Sequence, residues 1–359
     1  MNEGKSKKKG LKLNFKYEMV RMLTAVLIAL VLAMVIILIA SDEPLMAIKY
    51  LFLGPLESKR RFFNVLELMI PLTFTGLSVT VMFKANQFNM ISEGVFYVGG
   101  VIASIIVVSM KLPFVIHPLF SILIAGLVGG FIATIPSIIK LKWNASELVS
   151  SLMMNFILFN LGLYVINNFF RDINAGAMAS LPFEETGKLD IMFRGTRLHY
   201  GVLILLVTWI LTYLFINKTK LGYQLRVTGE NIKFAKYSGI KTTFIIILSQ
   251  FVGGFIAAVG GATEVLGMYE RFKWQDLTNY GFDGIIVAIL AKEKPQYVPL
   301  AAFFLAYIRI GADRMGNMTD VTFEMVAILQ GIIIMLVAAK SFMGKYRQKL
   351  IEKEANLNG

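Results

Sequence analysis

The chain has 359 residues, 56% of them apolar, a net charge of +13 and no cysteine. Soluble domains sit at roughly 45–50% apolar. The excess here comes in blocks of about 17–25 residues, the length that spans hydrocarbon as a helix, without the alternating segments of about 10 residues that a β-barrel needs. A soluble globular protein, a barrel, disulfide chemistry and zinc–thiolate sites are therefore excluded. No polar stretch is long enough to build a separate soluble core.

In chain order, Lys5, Lys7, Lys8, Lys9, Lys12 and Lys16 precede an apolar run from about Val20 to Ala40. That run is too long for a signal-peptide core and no small-x-small cleavage site follows, so it reads as an uncleaved first span behind a basic, inward N-terminus at 1–19. Ten candidate spans follow the hydropathy: about 20–40, 66–83, 92–109, 113–136, 146–169, 199–217, 243–267, 282–291, 297–312 and 321–340. The eighth and ninth are short and read as half-helices or one broken hairpin; an eight-span version with 282–312 re-entrant satisfies the same pattern. The fold class is all-α, a polytopic membrane protein.

The charges test this topology. Inner segments 84–91, 137–145, 218–242, 292–296 and the tail 341–359 collect Lys84, Lys140, Lys142, Lys218, Lys220, Arg226, Lys292, Lys294 and Lys345. Outer segments 41–65, 110–112, 170–198, 268–281 and 313–320 mix acid and base. The bias predicts both termini inside. The basic balance is thus a membrane signature and implies no nucleic-acid partner. His117 and His199 lie far apart, with no cysteine or carboxylate cluster at ligand spacing, so no metal site is expected. The outer segment 170–198 is long for a connection, which favours a functional role over an inert insertion.

Polar residues inside apolar blocks need a partner, a wet cavity or an interfacial position. Glu93 begins the third span and Asp283 the eighth; each reads as a helix N-cap or as a substrate or gate contact. Ser151 and Asn155 share a face of the fifth span, as an interhelical polar seam or part of a pathway. Asn89-x-x-x-Glu93-Gly94-Val95 echoes Asn279-x-x-x-Asp283-Gly284-Ile285. In this topology the first enters from inside and the second from outside, the relation expected of a 5+5 inverted repeat whose broken helices meet near the midplane. Gly94 and Gly284 are then equivalent close-packing positions. Phe96 and Tyr97 are candidates for stacking on an aromatic substrate.

The segment 218–242 is polar, basic and helix-prone. Residues 230–240 predict a short helix with Glu230 near its start, Ala235 inside it and Gly239 as a left-handed cap. Phe234 and Tyr237 share a face. Such a helix fits a groove on a cytosolic protein, or lies on anionic lipid.

Four strings occur in order: Gly76-Leu77-Ser78-Val79 with Phe83-Lys84-Ala85 and Phe88-Asn89-Met90-Ile91-Ser92-Glu93-Gly94; Asn144-x-x-Glu147 with Met153-Met154-Asn155-Phe156; Thr219-x-x-Gly222-x-x-x-Arg226-x-x-Gly229-Glu230-Asn231-x-x-x-Ala235-x-x-x-Gly239; and Gly281-Phe282-Asp283-Gly284 through Leu290. Together they resemble ABC-importer permeases of the ribose and branched-chain amino acid type, closest to the nucleoside or simple-sugar group. The chain departs from the usual pattern at Ile91-Ser92, Val95 and Ala291.

The resemblance implies a transmembrane permease domain over 20–340 in a bacterial cell membrane, working by alternating access with nucleosides first, simple sugars second and branched-chain amino acids third as substrate. It implies a cytosolic ATPase carrying ATP and Mg, a second permease or a self-dimer, and an extracellular or lipid-anchored binding protein. Contact with the ATPase falls on Gly222, Arg226, Gly229, Glu230, Asn231, Phe234, Ala235, Tyr237 and Gly239. The chain has no G-x-x-x-x-G-K-[ST] phosphate loop and is expected to hold no cofactor and catalyse no reaction itself. An ion-gradient-driven transporter is the alternative; it would place more ionisable residues deep in several spans.

Overall fold

The computed structural model describes residues 42–176 and 178–322, with single positions 31, 34, 35, 38, 325, 328 and 331. The basic N-terminus (1–19), the expected spans 20–40 and 321–340 and the tail 341–359 lie largely outside the described residues. The chain divides into two compact units, Met1–Pro55 with Ile308–Gly359, and Leu56–Tyr307.

In the first unit, α1 (Pro44–Leu53) starts with proline in its first turn, where the missing N–H costs nothing. It buries Ala47 and Leu51, and the guanidinium of Arg314 stands 5.2 Å over the Tyr50 ring.

The second unit carries α2 (Lys59–Lys84), α3 (Ser92–Ser109), α4 (Ile116–Ala133), α5 (Ile135–Trp143), α6 (Glu147–Phe169), α7 (Gly201–Lys218), α8 (Lys220–Glu230), α9 (Ile232–Tyr237), α10 (Thr242–Met268), α11 (Tyr280–Leu290) and the start of α12 (Val298–Met318). No strand forms among the described residues, only the isolated bridges Arg171–Ser180 and Ile191–His199. Among the described residues six helices are long and apolar enough to cross a membrane: α2, α3, α4 continued by α5, α6, α7 and α10. α10 is central and packs on α2, α3 and α4. α6 and α7 are peripheral, with apolar residues such as Phe156, Leu161, Leu206 and Leu211 exposed.

Several boundaries differ from the sequence reading. Residues 41–65 are not a loop: they hold α1, and α2 begins at Lys59, capped by Ser58, whose hydroxyl accepts the Arg61 N–H. The inner segment 137–145 is mostly helix, because Pro136 sits in the first turn of α5 and lets the chain bend and continue. The expected span 282–291 is α11, whose 11 residues cover only about 16 Å against a hydrocarbon core of about 30 Å. The span expected at about 297–312 corresponds to α12, which starts at Val298 and runs on to Met318.

Two connections enter the bundle. Between α2 and α3 the chain turns at Asn86 (φ +55°) and climbs back beside α2. The Ser92 hydroxyl then lies 2.9 Å from that of Ser78, six residues before the end of α2, so α3 starts about 9 Å inside that end. From α10 the chain returns as the irregular segment 269–279 along α3, with the Trp274 ring against Gly100. At Asn279 (φ +63°) it meets Glu93, and α11 begins there. α11 then follows α2, with Gly284 against Thr75 and Val287 against Gly76, and Glu293 beyond it reaches Lys84 at 3.9 Å. Two helices thus start side by side within the unit.

The long segment 170–198 is stitched down. Ser180 donates its N–H to the Phe272 carbonyl, Phe183 to Glu270 and Leu189 to Leu266, and Arg271 pairs with Asp172 at 2.9 Å.

Candidate functional site

The segment 87–94 is a polar hub whose side chains and backbone groups bond to α6, α10 and the start of α11. The Asn89 amide donates to Gln250 of α10 at 2.9 Å, while its oxygen accepts the Ile91 N–H. The Met90 N–H donates to the Ser151 hydroxyl (3.1 Å), and the Met90 carbonyl accepts from the Asn155 amide (2.9 Å). Asn155 closes the loop by accepting the Gly94 N–H at 3.0 Å. Ser151 and Asn155, one turn apart on α6, therefore clamp the start of α3, so their shared face makes interhelical hydrogen bonds. Asn89, Glu93, Ser151 and Asn155 are all at most 1% exposed.

Glu93 does cap a helix, but not its own. One carboxylate oxygen accepts the Asn279 N–H (2.7 Å) and the Thr278 hydroxyl (3.1 Å), and the other accepts the Gly281 N–H (2.6 Å). These donors precede and open α11, where free N–H groups and the positive dipole end favour an anion. Glycine is required at 281: a Cβ there would lie 2.3 Å from the Glu93 backbone. Asp283 is buried in the first turn of α11. Gly94 lies against Asn155, and Gly284 against Thr75.

Phe96 and Tyr97 are fully buried. Phe96 stacks on Trp274 at 5.7 Å and meets Tyr280 edge-on; Tyr97 packs on Phe272 and Trp274. In this conformation the rings hold the 269–279 segment against α3.

At the basic end, α7 turns straight into α8. Thr219 caps α8 by accepting the Gly222 N–H at 3.0 Å, and Arg226 donates to Asn217 at 3.3 Å. Gly229 meets the end of α2: a Cβ would sit 2.0 Å from the Lys84 carbonyl oxygen. The single helix expected over 230–240 is instead α9, because Asn231 breaks the run and caps it by accepting the Phe234 N–H. Glu230 ends α8, exposed. Ala235 is buried beneath α9, and Gly239 adopts the left-handed cap at φ +80°. Phe234 and Tyr237 are 60% and 92% exposed, so the aromatic face of α9 is left open among the described residues. Between α8 and α9 lies a groove of about 680 Å³, lined among others by Lys218, Lys220, Tyr223, Arg226 and Phe234 and by no acidic residue. The same end holds Lys292, whose ammonium is pushed below the usual lysine range by partial burial first and the charge of Lys294 second.

Gln250, Ser78, Thr278, Gln87 and Lys140 complete these contacts and were not singled out from the sequence. Gln250 carried a signal, a lone amide in an apolar block. Glu67 and Glu264, 7% and 1% exposed inside α2 and α10, carried a stronger one. Among the described residues no group of three His, Cys, Asp or Glu could hold a metal ion.

Residues 61–338 match the family model described as the permease component of the branched-chain amino acid transport system. The chain belongs to this family. Similar curated proteins include the guanosine ABC transporter permease of Bacillus subtilis (strain 168), 32% identical with 80% of this chain and 83% of that protein covered. The glucose ABC transporter permease of Haloferax volcanii is 28% identical, covering 90% and 87%. The nucleoside ABC transporter permease NupB of Lactococcus lactis is 26% identical, covering 89% and 90%. No solved structure matches. The protein is thus a membrane-embedded permease subunit of an ABC transporter, a transport component and not an enzyme. Its family works with an ATPase, which uses ATP and Mg, and with a substrate-binding partner.

Proposed function

We propose that this permease imports nucleosides by alternating access, with its basic end and both termini in the cytoplasm. The observation that supports the substrate class is the 32% identity to a guanosine permease across four-fifths of the chain. Simple sugars are the second reading, favoured by the glucose permease. The test is uptake into proteoliposomes holding the permease with its ATPase and binding protein. Saturable, ATP-dependent uptake of a labelled nucleoside, competed by other nucleosides and not by glucose, is expected. Glucose uptake that nucleosides do not compete would overturn the substrate class.

We read α8 and α9 as the ATPase contact. The exposed aromatic face of α9 supplies the large rings that dominate interface energies. The acid-free groove beside it complements an acidic segment of the partner. We read the hub as the gate region, where Glu93 joins the starts of α3 and α11. The adjacent starts of these helices support the inverted-repeat reading, with Gly94 and Gly284 as counterparts. The outer segments 41–65 and 170–198 are read as the docking face for a binding protein, and a second permease, homologous or identical, completes the pathway.

A further inference from the structure

The turn at 85–91 is held from two sides at the basic end. On one side Gly229 of α8 presses on the Lys84 carbonyl, at the last residue of α2. On the other, Gln87 is buried at 4% exposure and accepts from the Lys140 ammonium at 2.5 Å, while its amide nitrogen donates to the Ala85 carbonyl at 3.0 Å. Lys140 also donates to Glu147 at 2.8 Å, and the other Glu147 oxygen accepts the Ser137 hydroxyl at 3.1 Å. Glu147 is 5% exposed, so both of its oxygens are satisfied out of contact with bulk water. The Lys140 side chain is 37% exposed, so it is loss of the lysine that is costly, because the buried carboxylate is then left without its counter-charge.

This chain of contacts joins three elements: α5 through Ser137 and Lys140, the first turn of α6 through Glu147, and the turn through Gln87. Three residues after Gln87 the backbone is clamped again by α6, through Ser151 and Asn155, and three residues later Glu93 holds the start of α11. A push by α8 on Lys84 therefore reaches a turn whose far side is tied to the α5–α6 corner.

We infer that Lys140 and Glu147 form a latch that makes the α5–α6 corner the fixed point about which the 85–91 turn moves, so that displacement of α8 is delivered to Glu93 and α11. Without the latch the turn can tilt away from α5 and absorb the displacement. On this inference Lys140 and Glu147 are positioning residues, acting through the turn they hold. The inference rests on the reading of α8 and α9 as the ATPase contact.

The experiment uses the whole transporter in proteoliposomes and measures ATPase association, ATP hydrolysis and uptake of a labelled nucleoside in the same preparations. Lys140→Met and Glu147→Gln are expected to keep ATPase association and hydrolysis within twofold of the parent while uptake falls about tenfold, so that ATP spent per substrate rises about tenfold. Lys140→Arg, which keeps the charge and both donor directions, is expected to retain at least half of the coupling. Uptake and hydrolysis falling by the same factor, or uptake unchanged, would overturn the latch. Because the chain has no cysteine, a second arm is available: Gln87→Cys with Lys140→Cys should transport poorly as free thiols and recover when bridged by a short bis-thiol reagent. No recovery on bridging would overturn it as well. The coupling reading is tested separately, by ATPase association of Tyr237→Ala: unchanged association overturns that reading and with it the latch, whereas weakened association together with parent-like uptake by Lys140→Met and Glu147→Gln overturns the latch alone.

Discussion

The hub at 87–94 and the α8–α9 pair carry equally polar stretches of sequence and do opposite things with them. In the hub, the polar atoms of Asn89, Glu93, Ser151 and Asn155 are hydrogen-bonded to neighbours within the chain and shielded from solvent. In α8–α9 the capping atoms are satisfied locally, and what remains, Phe234, Tyr237 and the cations of the groove, faces outward. A closed network can transmit displacement between helices but has nothing left over for a partner. An open aromatic and cationic face has little internal role and is suited to contact. Polarity within an apolar chain therefore does not by itself mark an interface; the state of its hydrogen bonds does.

The comparison can be broken most sharply at Glu93. Glu93→Ala strands three donors at the start of α11, each costing about 1–3 kcal/mol. A stability loss of about 3 kcal/mol or more is expected by thermal unfolding in detergent, with uptake abolished; near-normal transport would remove the hub from the mechanism. Gly229→Val comes next. Its Cβ collides with the Lys84 carbonyl, so α8 must shift, at an overpacking cost of about 1–3 kcal/mol. Uptake should fall, and ATPase binding should weaken less than in the α9 aromatic variant, because α9 itself is untouched. Asn155→Leu removes two bonds to the start of α3 and leaves the Gly94 N–H buried without its acceptor, for about 1–2 kcal/mol; Asn155→Asp, which keeps the acceptor, should lose less.

The smallest stability effect belongs to the open region. Phe234→Ala with Tyr237→Ala should change thermal stability by no more than about 0.5 kcal/mol, as exposed substitutions do. It should nevertheless weaken ATPase binding about 10–100-fold in a pull-down titration or by surface plasmon resonance, the range for aromatic anchors. A large stability loss here, or none in the hub, would reverse the assignment of closed and open regions.

Much of this was legible before any fold was known. The apolar runs located α3, α6, α7 and α10 closely, because lipid permits few alternatives to a continuous helix. The short run after Tyr280 already signalled a half-helix. Ala235 and Gly239 marked α9, since helix interior and left-handed cap are local properties. Other features resisted. The break at Asn231 is a local cap that competes with helix continuation, and only the packing of Ala235 and Leu225 settles the outcome. Ser58 moved the start of α2 outward for a similar reason.

The sequence by itself determined the class of molecule, the long apolar helices α3, α6, α7 and α10, and the family, because hydropathy and charge bias act over short stretches of chain. Only the tertiary structure decided the address of each polar side chain. Glu93 reads as the cap of its own helix, yet its donors lie 185 to 188 residues further on. Lys140 reads as one more positive-inside charge, yet it binds a buried carboxylate and the turn beside it. Hydrogen-bond partners within a bilayer are set by which helices pack together, and that packing is a property of the whole chain.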